Sequence, residues 1–449
     1  MAMTATEVNV RLVAIARATF DTALAHQLAV QVRSNLLAAG VSLKGPEAFV
    51  SELDDAQKIS QELAEDPPDL LVLLQATFAD STLAVQLARN TESPVLLWGL
   101  PETPTGDRLR LNSLCGINLA VHAFKRRAID YYYVFAPPDD SAAMQLVQTL
   151  AAAGRVRKLL RGVRIGRVGE NPDGFDSCKF DATALASLMG VSIVQVSLKR
   201  VFQLAREAES KSVDELYRRL QGKLKGLEEL DPSAVRRTLA GYLALRQIAN
   251  EEQLAGLGVQ CWPQFFTELK CAACGAMSML SDELTPCSCE ADINGTITQL
   301  ILQTLSGQPA FGSDLVAADT LADTAVLWHC GLAPLSMADT SVPVKGTIHS
   351  NRKLPLLMEF ALKPGGITVA RLSESGGRFR FVLGTADVQK APLSFSGTSG
   401  VVQFERPMGD VLDTILGEGL EHHFSITYGD HVSALKALAK QLGLEVVDL

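Results

Sequence analysis

The sequence predicts an α/β protein in which two doubly wound parallel-sheet domains precede a β-rich, barrel-like C-terminal domain. The first two thirds of the chain alternate short apolar strands with helical segments, which is the pattern of parallel sheets covered on both faces. The last third carries short apolar runs between Gly, Pro, Ser and Asn turns, which is typical of a small antiparallel barrel or sandwich. The expected domains are residues 1–160, 161–323 and 324–449.

Composition and charge narrow the class of protein. The 449 residues are 47% hydrophobic and 20% charged, as in a compact protein with two or three domain cores. The formal net charge is −9 with acids and bases mixed along the chain, so we expect neither nucleic-acid nor anionic-membrane binding. No secretory signal pattern opens the chain and no apolar run reaches the roughly 18 residues that span a bilayer, which predicts a cytoplasmic protein. Its eight cysteines are then expected to be reduced thiols.

The first domain is expected to hold a parallel sheet. Strands are predicted at residues 10–15, 69–74 and 94–99, with helices at 22–39 and 82–90. Arg17 belongs to a polar cluster at the carboxyl end of the first strand, where α/β folds bind ligands. In the same cluster, Thr19 or Asp21 is expected to cap the following helix. No G-x-G-x-x-G or Walker-type loop opens a helix here, so a nucleotide-binding fold has no support.

The second domain is expected to open with a strand at residues 163–168. The polar, glycine-bearing loop at 169–175 follows this strand and either lines a site or forms a plain turn. A further strand at 192–196 precedes a charged helix pair that is split near Pro232. Trp262 follows the next strand, where its ring either stacks on a sugar or packs in the core.

The stretch from Thr285 to Val316 is expected to contain a strand ending at Glu290, a helix over about 295–306 and a strand reaching Asp314. Asp292 or Asn294 is placed to cap the helix, and Gly307 to end it. In a right-handed βαβ crossover, both acids lie at the carboxyl edge of one sheet. Because neighbouring strands are about 5 Å apart, the two carboxylates could then share one ion or one substrate. The alternative is an ordinary capped βαβ unit with surface acids.

The third domain is predicted from its strand spacing. A helix and a short final strand, at residues 431–442 and 444–447, are expected to close the chain. The apolar runs that precede them lie at residues 325–328, 353–360, 367–372, 379–383 and 401–404.

Four cysteines raise the question of a zinc site. They form the pairs Cys271-x-x-Cys274 and Cys287-x-Cys289, and the loop between the pairs has a length that a structural zinc site could use. Against zinc, one residue separates the second pair, which lies in a predicted strand where alternate side chains face opposite ways. We expect these thiols to be small buried hydrophobic groups.

A hard divalent ion suits the two acids better. Two carboxylates and one imidazole, with positions left open for water or sugar oxygens, are typical ligands for Mn²⁺ or Mg²⁺. The imidazole could come from His422 or His423 at the start of a late strand, or from His329 at the end of another. Each of these histidines could equally be a structural residue.

Several short motifs resemble those of the L-fucose/L-arabinose isomerase family. The resemblance covers the layout of most of the chain, with specific motifs confined to about residues 286–331 and 421–430. The matching segments are Glu290-Ala-Asp-Ile-Asn-Gly, Leu305-Ser-Gly, Asp314, Trp328-His329-Cys330-Gly331, His422-His423 and Tyr428-Gly429-Asp430.

The resemblance implies a role for each matching residue. Glu290, Asp314 and His423 correspond to the Mn²⁺ ligands, although another divalent cation such as Mg²⁺ or Co²⁺ is also possible, and the two acids are implied to move protons. His422 corresponds to a substrate-contacting position, and His329 to an additional histidine near the metal.

Further implied contacts to the sugar come from outside these motifs. Arg17 resembles an arginine that reaches the sugar from a neighbouring subunit, and Gln260 and Trp262 lie where the family places pocket residues. The family likeness therefore also implies a homo-oligomer with shared active sites.

The function expected from this likeness is that of a metal-dependent aldose–ketose isomerase acting on a free sugar. The ion would stabilise the negative charge of an ene-diol while a carboxylate moves the carbon-bound proton. One alternative is an isomerase of a modified anionic sugar, such as a sulfonated hexose of the sulfoquinovose type, held by additional arginines. Another is a sugar-binding regulator on the same fold without turnover.

Overall fold

A computed structural model describes residues 8–449 as two compact units. The first unit ends at Lys158, and the second runs from Leu159 to Leu449. The second unit contains both a parallel sheet and an antiparallel barrel, which share one continuous hydrophobic core. The division of the chain into three domains stays a prediction.

The first unit is a five-stranded parallel sheet with helices, in the strand order β2-β1-β3-β4-β5. All six residues of β3 are buried, as expected for a strand covered on both faces. Asp21 caps the first helix by accepting a hydrogen bond from the Leu24 N–H, as predicted. The elements are β1 (Asn9–Ile15), α1 (Thr22–Ala38), β2 (Ser42–Lys44), α2 (Leu53–Glu65), β3 (Leu70–Gln75), α3 (Ser81–Ala88), β4 (Val95–Gly99), α4 (Ser113–Lys125), β5 (Tyr132–Phe135) and α5 (Ser141–Leu160), whose last residues belong to the second unit.

The second unit begins with a four-stranded parallel sheet in the order β7-β6-β8-β9. Its longest helix, α9, starts at Pro232 after an Asp231 cap, where the missing N–H of proline costs nothing. The elements are β6 (Arg164–Val168), α6 (Ala182–Met189), β7 (Ser192–Val196), α7 (Leu198–Glu207), α8 (Ser210–Gln221), α9 (Pro232–Glu251), β8 (Gly256–Val259), α10 (Cys274–Asp282), β9 (Cys287–Ser288) and α11 (Ile293–Ser306).

The C-terminal part is an antiparallel barrel, which together with the two parallel sheets confirms the predicted fold class. Six strands close on themselves in the order β16-β11-β10-β17-β14-β15, and β12, β13 and β18 extend the sheet. The elements are β10 (Phe311–Asp319), β11 (Thr324–His329), β12 (Lys345–Ile348), β13 (Pro355–Ala361), β14 (Gly365–Ser375), β15 (Arg378–Val388), β16 (Thr398–Phe404), α12 (Met408–Gly417), β17 (His423–Tyr428), α13 (Val432–Leu442) and β18 (Glu445–Asp448).

The predicted βαβ crossover around Glu290 and Asp314 is wrong. β9 ends the parallel sheet, whereas β10 pairs antiparallel with β11 and β17 inside the barrel. The connecting helix α11 packs against β8 and β9 and also against β14 and β17. Its first ten residues are all buried, because it passes between the parallel sheet and the barrel instead of covering one sheet.

The cysteines also depart in part from expectation. Cys261 and Cys289 form a disulfide with a Cα–Cα distance of 5.9 Å, so the prediction that all eight thiols are reduced is wrong. Cys271, Cys274 and Cys287 are buried thiols, and none of them belongs to a group of possible metal ligands among residues 8–449. They behave as the small hydrophobic groups that the sequence predicts.

The described residues include no helix that is suited to crossing a membrane. Over residues 8–449, no helix combines the length and the apolar character that crossing a bilayer requires.

Candidate active site

His423 lies at the centre of the candidate site, at the start of β17. Asp314 of β10 is its direct partner in the strand register, which brings the two side chains together. His423 Nε2 lies 3.4 Å from Asp314 Oδ1 and 3.9 Å from Glu290 Oε2. The two predicted acidic ligands therefore lie beside the predicted imidazole ligand. They do so although Glu290 follows β9 of the parallel sheet and Asp314 lies on β10 of the barrel.

The other ring nitrogen of His423 is held by a buried carboxylate. His423 Nδ1 donates to Asp292 Oδ2 at 2.9 Å, which leaves Nε2 with its lone pair toward Glu290 and Asp314. Asp292 also binds Arg371, and both side chains are essentially inaccessible to solvent. Burial raises the pKa of Asp292, but the charge of Arg371 and the bond from His423 outweigh it and hold that pKa well below its usual range. Asp292 thus stays ionised and orients the imidazole.

Glu290 sits on an unusual backbone segment. Both Glu290 and Ala291 have left-handed φ values, 60° and 53°, which side chains other than glycine rarely adopt. The side chain of Asn171 holds this turn, because its Nδ2 donates to Glu290 O at 2.9 Å and to Ala291 O at 3.1 Å. The disulfide at Cys289 anchors the preceding residue.

Replacing Asn171 tests whether this turn positions Glu290. In Asn171→Ala the two carbonyls lose their donor, so we expect the free energy of unfolding to fall by about 1–3 kcal/mol. Turnover is expected to fall by about 10- to 100-fold, as when an outer support of a metal site is removed. Chemical denaturation and steady-state kinetics measure the two effects, with exposed Asn118→Ala as the control. Unchanged turnover at reduced stability would leave Asn171 a structural role only.

The side chain of Glu290 is 12% exposed, and both of its carboxylate oxygens have polar partners. Trp262 Nε1 donates to Oε1 at 3.3 Å, and His422 Nε2 lies 3.3 Å from Oε2. Burial raises the pKa of Glu290. The hydrogen bond with His422 and the charge of His423 lower that pKa by more than burial raises it, so the net pKa is below its usual value. For His422, burial lowers the pKa because it disfavours the charged imidazole. The hydrogen bond to Glu290 has the larger opposite effect together with the nearby acids, so the pKa of His422 is raised.

Aromatic rings form a wall beside Glu290. Phe175 packs edge-on against Trp262 and His422, with ring centroids 5.7 and 6.0 Å apart. Ser177 Oγ lies 2.8 Å from His422 Nδ1 and fixes the other side of that ring. The polar loop after β6 therefore lines this site, and Trp262 contacts the site instead of packing only in the core.

His329 and Asp314 each turn an unpaired atom toward His423. His329 ends β11, and its Nδ1 accepts the N–H of Cys330 at 2.8 Å. Among residues 8–449, neither His329 Nε2 nor Asp314 Oδ1 has a hydrogen-bond partner, although both are buried. Because His329 Nδ1 accepts a hydrogen bond, Nε2 of the neutral ring carries the hydrogen, so His329 offers an unpaired donor and Asp314 an unpaired acceptor. Buried polar atoms without partners are costly, so the site calls for a further group that contacts them.

The donor atoms suit a divalent cation. In one group Asp314, His329 and His423 hold their donor atoms within 4.8 Å of one another, and in a second group Glu290 does so with Cys178, His422 and His423. His423 belongs to both groups and joins them. Donors bound to one ion at about 2.1 Å lie about 3 to 4 Å apart, and Glu290 and Asp314 each lie at such a distance from His423 Nε2. Among residues 8–449 the two carboxylates belong to different groups, so binding one ion with both would require their side chains to move toward each other. Carboxylate and imidazole donors fit Mn²⁺ or Mg²⁺ in character.

Comparison with known proteins shows the family of this chain. A family model described as "Fucose/sulfoquinovose isomerase, N-terminal domain" matches residues 11–164. A protein from Alkalicoccus urumqiensis named sulfoquinovose isomerase is 30% identical over 97% of this chain and 98% of its own length. Proteins of the same name from Priestia megaterium and a Clostridium species are 30% and 31% identical over 96% and 84% of this chain, and 97% and 86% of their own lengths. The chain belongs to the fucose isomerase-like family.

Membership in this family makes the protein an aldose–ketose isomerase, an intramolecular oxidoreductase.

The site residues that the sequence predicts for this isomerase fall into three sets. Glu290, Asp314, His329, His422, His423 and Trp262 meet at the site just described.

Gln260 lies beside this set without joining it. Its Oε1 accepts the N–H of Glu170 at 2.9 Å, and its Nε2 donates to Gln264 at 3.1 Å. Its amide therefore supports the loops around the site of the isomerase.

Arg17 belongs to the first unit of the isomerase. It lies at the carboxyl end of β1, where its guanidinium pairs with Asp80 at 2.7 Å and donates to Ser51 O at 3.0 Å.

Sequence reasoning missed the buried support of the isomerase site. Asp292 was predicted only as a helix cap, which it is, since its Oδ1 accepts the Gly295 N–H at 2.9 Å. Its other oxygen serves His423 and Arg371. The signal in the sequence is Arg371 inside the apolar run at residues 367–372, because a charged side chain in a buried strand requires a partner of opposite charge.

Proposed function

We propose that this isomerase acts on a hexose that carries a sulfonate, of the sulfoquinovose type, and that it uses a divalent cation, with Mn²⁺ as the first choice. The observation that carries the proposal is the convergence of Glu290 and Asp314 on His423 Nε2. Relatives that match nearly the whole chain bear the name sulfoquinovose isomerase, which supports the anionic substrate over the neutral free sugar expected first. The same relatives favour a catalyst over a sugar-binding regulator.

Glu290, Asp314 and His423 would hold the cation, with His329 beside it. When bound, a divalent cation polarises the two substrate oxygens and stabilises the negative charge that develops on them. Mg²⁺ or Co²⁺ could serve the same donors. Asp292 keeps the His423 ring in the tautomer that such a ligand needs.

The protein's own side chains move the protons. Glu290 is ionised and faces the aromatic wall, so it takes the proton from C2 of the aldose and returns it to C1 of the ketose. Asp314 carries the second proton, from the hydroxyl oxygen on C2 to the carbonyl oxygen on C1. Trp262 and His422 hold the Glu290 carboxylate in place, and both rings pack with Phe175.

An isomerisation assay in D₂O tests this function. With Mn²⁺ and sulfoquinovose we expect the 2-ketose to form and to carry solvent deuterium on C1, because the proton on Glu290 exchanges during the reaction. Removing the cation with a chelator should stop turnover, and adding Mn²⁺ should restore it. Quinovose, which lacks only the sulfonate, is the matched control substrate. Turnover that persists in the chelator would contradict the metal-dependent route. Deuterium on C1 would support the ene-diol route, and no deuterium on C1 at any extent of conversion would remove that support.

The proposal also includes the location and the oligomeric state of the enzyme. A cytoplasmic location and a homo-oligomer with shared active sites stay predictions, as does the role of Arg17 toward the sugar of a neighbouring subunit.

A further inference from the structure

A sulfonate needs a cationic partner at the site. The group is a permanent anion with three acceptor oxygens, so a pocket that prefers a sulfonated sugar gains most from a guanidinium, which can donate two parallel hydrogen bonds. A guanidinium already bound to carboxylates is a poor candidate, because its donors are occupied.

Two arginines near Glu290 are already committed to protein groups. Arg371 is fully buried and bound to Asp292. Arg167 pairs with Glu170 and donates to Asn171 Oδ1 at 2.9 Å. The charge of each guanidinium is already balanced by a carboxylate, which makes both arginines poor partners for a substrate anion.

Arg352 differs from these two arginines in its exposure and in its contacts. It is exposed, and in the part of the chain that the structure describes its guanidinium forms no ion pair with a carboxylate. Its carbon Cζ lies 4.8 Å from the ring centroid of Trp262 and 5.2 Å from that of Phe266. An arginine stacked on aromatic rings keeps its N–H groups at the edge of the guanidinium plane, where they can meet an oxyanion.

The loop that carries Arg352 is anchored beside the site. His349 packs edge-on against Phe266 with a centroid distance of 5.3 Å, and its backbone oxygen accepts the N–H of Lys353 at 2.8 Å. Its Nδ1 accepts the N–H of Arg352 at 3.4 Å. The turn between β12 and β13 is thereby fixed on the same aromatic residues that hold the guanidinium.

Trp262 connects this guanidinium to the reacting end of the site. Its indole N–H donates to Glu290 Oε1 at 3.3 Å, while its ring face carries Arg352. The carboxylate and the guanidinium are thus separated by about one indole ring. This separation is comparable to the length of a hexose, whose isomerising carbons and sulfonate lie at opposite ends.

Given the proposed function, we infer that Arg352 binds the sulfonate of the substrate and sets the preference for sulfonated over neutral sugars. Trp262 stacks the guanidinium on one side and orients Glu290 on the other, so that sulfonate binding places the C1–C2 end at the proton-moving carboxylate. Arg352 is a specificity residue and takes no part in the proton transfers.

Kinetics with a matched pair of sugars and matched variants test the inference. In Arg352→Gln we expect KM for sulfoquinovose to rise by roughly 10- to 100-fold, the usual effect of losing a charge-assisted hydrogen bond. The kcat/KM for quinovose should stay within about twofold, because that sugar has no anion to lose. Arg352→Lys keeps the charge without the two-pronged contact and should recover part of the affinity. Lys353→Gln removes a neighbouring exposed charge and should change neither sugar. Equal losses for both sugars, or an effect of Lys353→Gln as large as that of Arg352→Gln, would overturn the assignment.

A binding measurement separates this inference from the proposed reaction. The methyl glycoside of sulfoquinovose cannot isomerise, because its anomeric carbon is blocked. Calorimetry then reports binding without reaction, and the difference from the methyl glycoside of quinovose reports the sulfonate contact. We expect wild-type protein to bind it at least about tenfold more tightly than the methyl glycoside of quinovose, and Arg352→Gln to lose that difference. This result in a protein without turnover would support the role of Arg352 while refuting the proposed reaction. Equal binding of the two glycosides by wild-type protein, or an unchanged difference in Arg352→Gln, would refute the role of Arg352.

Discussion

Glu290→Gln is expected to reduce turnover by at least about a thousandfold while the fold is retained, because the amide cannot accept the carbon-bound proton. Glutamine has nearly the same shape, and its oxygen can still accept the N–H of Trp262. The left-handed backbone at this position, held by Asn171, does not depend on the carboxylate. The loss should therefore appear in kcat, measured with saturating Mn²⁺ and sulfoquinovose.

Two comparisons make this result interpretable. Glu228→Gln changes an exposed glutamate of the same unit away from the site, and should leave turnover unchanged. The thermal unfolding midpoint of Glu290→Gln should stay close to that of wild type. Substantial turnover in Glu290→Gln would remove this residue from the proton transfers and leave Asp314 as the candidate base.

His423→Ala is expected to weaken Mn²⁺ binding by more than about a hundredfold, since even outer-shell partners of metal ligands are worth 10- to 100-fold. His423 is the residue on which both groups of donor atoms meet, and its Nε2 faces Glu290 and Asp314. Isothermal titration of the metal-free protein with Mn²⁺ measures the change directly and does not require catalysis.

A second substitution separates ligation from packing at this position. In His423→Asn the amide N–H can replace Nδ1 toward Asp292, but nothing replaces Nε2. It should therefore lose Mn²⁺ affinity as His423→Ala does, with a smaller loss of stability. His122→Ala, on the exposed face of α4, is the neutral control. Unchanged Mn²⁺ affinity in both variants at position 423 would assign the ion to His422 or His329.

The sequence allowed the fold class to be predicted, but not the strand connections at the site. Alternation of strands and helices predicted the parallel sheets, and turn-rich short strands predicted the barrel. The assignment of β10 failed because a strand's own residues do not say which sheet it joins. β9 is two residues long, so no periodicity marked it as the edge of the parallel sheet.

Some residues of the candidate site could be predicted from the sequence and others could not. Glu290, Asp314 and the late histidines stood out by residue type and spacing, and the structure places both acids beside His423. The loop at residues 169–175 was a candidate lining of a site, but the individual roles of Asn171 and Phe175, and any role of Arg352, could not be predicted because they come from contacts with residues far away along the chain. A lone asparagine in a loop or an arginine in a turn carries no local mark of such a partner.

The division of labour between barrel strands and loops has a consequence for how substrate range could change. Asp314 and His423 face each other across paired strands, where inserting or deleting one residue would turn one of them to the opposite face. Phe175, Trp262 and Arg352 lie on connections between strands and helices or between two strands, which tolerate changes in length and composition. New sugar specificities could therefore be engineered by exchanging the β12–β13 turn that carries Arg352, provided that Trp262 and the loop of Phe175, which support Glu290, are kept.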